Sequence, residues 1–156
     1  MYGEILTIGH STRTLQEFIS LLKENDVEAL ADVRSYPGSR RFPHFNKEIL
    51  SGSLRKENIE YIHIPLLGGR RKSAKDSNNI AWKNPGFRGY ADYMETRDFK
   101  KGIVELLTLA RIKITAYMCA EAYWRQCHRS LISDYLKVKG WKVNHKIGRA
   151  SCRERV

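Results

Sequence analysis

No stretch of this 156-residue chain stays apolar over the length a bilayer crossing needs. A membrane-spanning reading is therefore set aside. There is no basic start followed by a small-residue cleavage site either. Met1-Tyr2-Gly3-Glu4 runs straight into a strand pattern, so the expected compartment is the cytoplasm. Cysteine is scarce: Cys119, Cys127 and Cys152 make no disulfide framework. Internal repeats, low-complexity tracts and linkers are also missing, which leaves one domain of a size that buries a real core. Apolar residues are 42% and charged residues 29% of the chain, a soluble globular balance rather than a disordered one.

The last ten residues, 147–156, have no apolar period. They read like the in-frame translation of a sequencing adapter. The expectation is a single α/β domain over residues 1–146 followed by a non-native tail. Setting aside Arg149, Arg153, Arg155 and Glu154 lowers the net charge from +11 to +9 and leaves Cys119 and Cys127 as the cysteines. A surplus of that size suggests an anionic partner such as a nucleotide, a nucleic acid or an acidic surface. A merely basic, solubilising exterior would look the same.

Glu4 to His10 is a short apolar run of strand type. Thr14 and Glu17 then form a capping-box pattern, and Leu15, Phe18, Ile19 and Leu22 share one helical face. Val27 to Ser35 repeats the strand pattern, with Asp32 and Arg34 on one face near its end. Two prolines and a glycine make Tyr36 to Phe45 a loop, after which Asn46 can cap a helix over Lys47 to Lys56. Ile59 to Pro65 is a third strand pattern. Gly68-Gly69 beside Arg70-Arg71-Lys72 then predicts a hinged, mobile loop. A short helix is expected over Phe87 to Met94, and Phe99, Ile103, Leu106, Leu107 and Ala110 mark another. Ile112 to Met118 is a fourth strand pattern ending at Cys119. Trp124, Cys127, Leu131, Ile132, Tyr135 and Leu136 then line one face of a helix that Gly140 ends, and Trp141 to His145 starts a fifth strand.

Strands alternating with helices predict a three-layer α/β sandwich. Its sheet would be mostly parallel, of about five strands, on a Rossmann-like or flavodoxin-like plan. Ligands in such sheets bind outside the carboxyl ends of the strands. His10, Asp32, Arg34, Gly68, Gly69, Cys119 and Glu121 all stand at such ends and could meet on one rim.

Cys119 and Arg125 have Cys-x5-Arg spacing, but the residues between include no glycine to let amides converge on an anion, and Glu121 would repel one. The spacing is read as chance. Cys119 and Cys127 lack the short-knuckle spacing of zinc sites, so no metal is assigned, and Cys127 is read as core. His128 and Arg129 open a helix whose free amides favour anions, with Arg34, Arg40 and Arg41 arriving from the second loop. Cys119, Glu121 and His10 are the candidate catalytic groups: a nucleophile or shaping thiol, and an acid/base pair. A salt bridge from Glu121 to Arg129 or Arg34 is the plain alternative. Arg70, Arg71, Lys72 and Lys75, with Trp82, Phe87 and Tyr90 downstream, suggest a lid or a nucleic-acid contact beside an equally plain solvated loop.

Taken together, the motifs carry a resemblance. They are Thr7-Ile8-Gly9-His10-Ser11, Asp32-Val33-Arg34-Ser35, Pro37-x-Ser39-Arg40-x-x-Pro43-x-Phe45, Leu67-Gly68-Gly69, Phe87 to Met94, Met118-Cys119-Ala120-Glu121, Cys127-His128-Arg129 and Val143-x-His145. In this order they resemble the bacterial and archaeal family called domain of unknown function 488. The resemblance implies an α/β sandwich with a shared polar cluster, and supplies no substrate. Asp32, Arg34, Ser39, Arg40, Gly68, Gly69, Tyr90, His128 and Arg129 are the expected ligand-binding positions. The expected ligand is anionic and phosphate-bearing, a nucleotide or nucleic acid, with no cofactor assigned. A non-catalytic nucleic-acid-binding module and a structural metal site at the two cysteines are the alternatives.

Overall fold

The computed structural model describes residues 3–38, 40–69, 71, 77, 85–121 and 127–146. Among these residues, five strands and five α-helices follow one another as β1 (Glu4–Gly9), α1 (Leu15–Glu24), β2 (Ala29–Asp32), α2 (Lys47–Lys56), β3 (Glu60–His63), α3 (Pro85–Tyr93), α4 (Arg97–Ile112), β4 (Thr115–Cys119), α5 (Arg129–Val138) and β5 (Lys142–Lys146). Short 3-10 turns at Pro43–Phe45 and Pro65–Leu67 follow the loops after β2 and β3.

Local chemistry sets several of these boundaries. Thr14 and Glu17 close the capping box: Thr14 N–H donates to Glu17 Oε1 at 2.7 Å, and Glu17 N–H to Thr14 Oγ1 at 3.0 Å. Asn46 holds the cap position of α2 with no side-chain capping bond. Gly140, at φ 94°, takes the left-handed position after α5 that an L side chain resists. The expected fourth strand starts later, because α4 continues through Ile112.

All five strands are parallel, in the order β3-β2-β4-β1-β5. Phe18, Leu22, Leu50 and Leu54 of α1 and α2 pack on Leu6, Ile8, Leu30 and Met118 on one face. Phe99, Ile103, Leu106, Leu131 and Ile132 of α4 and α5 pack on Ile5, Ala31 and Tyr117 on the other. Each such side chain contributes about 1.5–3 kcal/mol by leaving water. The result is the expected layered α/β sandwich, although β4 lies between β1 and β2, unlike the strand orders of Rossmann or flavodoxin folds.

That insertion positions the site. The chain leaves β1 and β2 toward the α1/α2 face, and leaves β4 between them toward the α5 face. Neighbouring strands that discharge to opposite faces open a crevice at their carboxyl ends. Here the crevice is centred on Cys119.

Candidate functional site

A cleft of about 790 Å³ occupies this crevice. Its wall draws on the loops after four strands: His10, Ser11 and Thr12; Arg34, Ser35, Tyr36, Gly38, Arg41 and Phe42; Gly69 and Phe87; and Cys119, Ala120, Glu121, Cys127 and His128. Backbone bonds tie two of those loops together just beyond the sheet. His10 N–H donates to the Cys119 carbonyl at 3.0 Å and Ser11 N–H to the Ala120 carbonyl at 2.8 Å.

Arg34 is fixed from several sides. Its Nε and Nη2 donate to Asp32 Oδ1 and Oδ2 at 2.9 and 2.7 Å, and Nη2 also reaches the Phe45 carbonyl at 2.8 Å. Tyr61 donates its hydroxyl to Asp32 Oδ2, and His63 Nε2 donates to the Arg34 carbonyl at 2.7 Å. Burial alone would weaken the Arg34 charge, but bonding to the Asp32 carboxylate outweighs it and raises the guanidinium pKa. Burial, reinforced by the same carboxylate, pushes the Tyr61 hydroxyl up and keeps it protonated. Nη1 of Arg34 has no protein acceptor among the described residues. The guanidinium is thus a charged donor with one end uncommitted, on a side chain that lines the cleft.

His10 is 4% exposed and stacks on Phe45, ring centroids 4.3 Å apart. The Ser11 carbonyl, 2.9 Å from Nδ1, can only accept, so Nδ1 carries the proton and Nε2 keeps its lone pair. Burial lowers the pKa from 6.5 to about 4, helped by the nearby Arg34 charge. His10 is therefore a neutral imidazole at physiological pH.

Cys119 ends β4, and Cys127 precedes His128, the cap residue of α5. His128 Nε2 lies 2.8 Å from the Val33 carbonyl, which makes Nε2 the protonated nitrogen and leaves Nδ1 facing the Cys127 sulfur at 3.3 Å. Burial lowers the His128 pKa. Burial raises the Cys119 thiol, and its bond to Cys127 raises it further. Cys127 shifts the other way. Burial disfavours its thiolate, but hydrogen bonding from Cys119, the Arg129 charge, and bonds from the Arg129 amide and guanidinium bring its pKa below the usual thiol value.

Arg129 is fully buried. Its Nη1 donates to Thr7 Oγ1 and its Nη2 to the Glu121 carbonyl, both at 2.7 Å. The glycines of the third loop are closely packed. A Cβ on Gly69 would stand 2.6 Å from His128 Nδ1, and one on Gly68 would stand 2.8 Å from Ser35 Cα. Neither has a left-handed backbone. Their requirement is close approach, not the hinge freedom the sequence suggested.

A family model described as "Domain of unknown function DUF488" matches residues 14–136. The chain belongs to the DUF488 family. No curated protein and no solved structure matches it. The family match starts beyond His10, Ser11 and Thr12 and takes in the other residues of the cleft.

Of the expected positions in this DUF488 protein, His10, Arg34, Gly69, Cys119, Glu121 and His128 line the cleft. Asp32 lies behind Arg34 and orients it. Gly68 packs on Ser35, and Tyr90 is buried with its hydroxyl donating to the Leu67 carbonyl at 2.8 Å. Arg40 is exposed and outside the cleft lining, and Arg129 points into the protein rather than joining a surface rim. Ser39, Arg70, Lys72, Lys75, Trp82, Trp124, Arg125 and the 147–156 tail fall outside the described residues. Cys127 is core, as read from its helical spacing, and it also lines the cleft. Arg41, Tyr36 and Phe42 join the wall from a loop whose aromatic content was the available signal. Among the described residues, no three His, Cys, Asp or Glu side chains are grouped to hold a metal. No helix among them is long and apolar enough to cross a membrane.

Proposed function

We propose that the cleft binds a phosphate-bearing ligand with an aromatic base, a nucleotide or one nucleotide of a strand, and presents it to acid/base groups. The observation that carries this reading is Arg34: a guanidinium held rigid by Asp32, lining the cleft, with Nη1 uncommitted among the described residues. Charge-assisted donors of fixed geometry suit phosphate oxygens. Arg41 brings a second positive charge to the same wall. Tyr36, 72% exposed, brings an aromatic ring suited to stacking on a base, and Phe42 and Phe87 add aromatic surface to the same wall. His10 is the proton acceptor, because it is neutral and its Nε2 lone pair is not used by Ser11. Glu121, exposed on the cleft wall, is the second acid/base group.

The test is calorimetric titration of mononucleotides and short oligonucleotides into the full chain at low salt. Binding that weakens about tenfold in Arg41→Ala and in Tyr36→Ala, the loss of one phosphate contact or one stacked base, supports the reading. No binding at low salt overturns it. Oligonucleotide binding that falls steeply with salt yet ignores both substitutions would instead place the contact on the basic exterior, as a non-catalytic module.

A further inference from the structure

Two cysteines from separate elements meet at the floor of the cleft. Both line it, and both are buried free thiols of one packed cluster. Their surroundings differ. The Cys127 sulfur faces His128 Nδ1 at 3.3 Å and feels the nearby Arg129 charge. Among the described residues, the Cys119 thiol has the Glu121 carbonyl, at 3.8 Å, as its hydrogen-bond partner. Negative charge on sulfur is favoured at Cys127 and disfavoured at Cys119. The bond from His128 Nε2 to the Val33 carbonyl fixes the imidazole so that Nδ1 can receive the Cys127 proton. An acidic attacking thiol beside a less acidic one is the arrangement thiol–disulfide exchange requires.

We propose that Cys127 and Cys119 form a redox-active dithiol that reduces a low-molecular-weight disulfide admitted to the cleft, Cys127 attacking and Cys119 resolving. The Cys127 thiol passes its proton to His128 Nδ1, and the thiolate attacks one sulfur of the substrate disulfide. The substrate S–S bond breaks and a Cys127–substrate disulfide forms. The first thiolate product leaves with the proton held by His128. Cys119, lining the same cleft, then attacks that sulfur and releases the second product, which takes the Cys119 proton. Two electrons have moved from the dithiol to the substrate. The products are a Cys119–Cys127 disulfide and two substrate thiols, and excess external thiol reverses the change. This goes beyond the nucleotide reading and stands whether or not that reading holds.

The experiment uses the full chain carrying Cys152→Ser, so that two cysteines remain, incubated with glutathione disulfide and weighed intact without reductant. The expected product is protein lighter by two hydrogen atoms, with Cys119 joined to Cys127. Adding Cys119→Ser is expected to halt the reaction at one glutathionyl group on Cys127. Adding Cys127→Ser is expected to leave Cys119 unmodified while the protein keeps its folded circular dichroism. Should a serine variant unfold, the relative alkylation rates of the two thiols in the parent decide, with Cys127 expected to react first. The proposal fails if Cys119 is glutathionylated as fast without Cys127 as Cys127 is without Cys119. It also fails if neither thiol of the folded parent reacts while both react in denaturant.

Discussion

The Asp32 carboxylate grips the Arg34 guanidinium through two parallel bonds, Nε to Oδ1 at 2.9 Å and Nη2 to Oδ2 at 2.7 Å. Asp32 is fully buried and Arg34 is 8% exposed, so water solvates the carboxylate not at all and the arginine barely. Removing one partner strands the other charge. Asp32→Asn is therefore expected to cost about 3–5 kcal/mol in urea unfolding. Tyr61→Phe removes a single bond to the same carboxylate and should cost about 1.5–3 kcal/mol. If Asp32→Asn unfolds at the parent's urea concentration, the pair is not the anchor of this loop.

His10 gives stability a pH dependence whose sign is fixed. The ring's pKa falls from 6.5 to about 4 on folding, chiefly through burial. Between those values the unfolded chain binds a proton that the folded chain refuses. Stability therefore rises with pH across this window, is fully present above it, and is lost as pH falls through about 4. The ceiling on this one group is about 3 kcal/mol. His128, also lowered, acts in the same direction. His10→Phe keeps a ring against Phe45 and removes the titration. Its stability is expected to vary less with pH than the parent's in urea unfolding run between pH 7 and about 4.5. Equal slopes would show that His10 titrates normally in the folded protein.

The short-range features were legible in the amino-acid pattern and the long-range ones were not. Thr14 and Glu17 announce a helix start because every group in a capping box lies within one turn. Gly140 announces its stop for the same reason. The insertion of β4 between β1 and β2 depends on crossovers whose direction no local pattern encodes. Tyr61 could not be linked to Asp32 without knowing that β3 pairs with β2. Arg129 left a signal that was passed over. With Ile132, Ser133 and Leu136 it forms a helical stripe at i, i+3, i+4 and i+7, and all four are buried. Its position at a helix start suggested a surface anion site, but its side chain runs inward to Thr7.

Gly69→Ala tests whether the third loop is a hinge or a fitted wall. The new Cβ would lie 2.6 Å from Nδ1 and 2.8 Å from Cγ of His128, whose ring is pinned to the Val33 carbonyl. The ring or the loop must shift, at about 1–3 kcal/mol. Gly38→Ala, where nothing lies within 4 Å, is the neutral control. Thermal unfolding should separate the two variants clearly. A hinge would tolerate both equally, and Gly69→Ala would then leave stability unchanged.

Thr7→Val asks what Arg129 does. Valine matches threonine in shape but cannot accept the 2.7 Å bond from Nη1, and the site is fully buried. A lost bond to a charged donor costs about 1.5–3 kcal/mol. Thr7 does not line the cleft, so nucleotide affinity is expected to hold within about twofold, well under the effect of losing one hydrogen bond. The Arg129 charge also favours the Cys127 thiolate, so loosening the guanidinium from Thr7 is expected to alter the reactivity of that sulfur. Alkylation of Cys127 by iodoacetamide should therefore change rate in Thr7→Val while affinity does not. A fall in affinity matching the fall in stability, with the alkylation rate unchanged, would instead make Arg129 a ligand-holding residue after all.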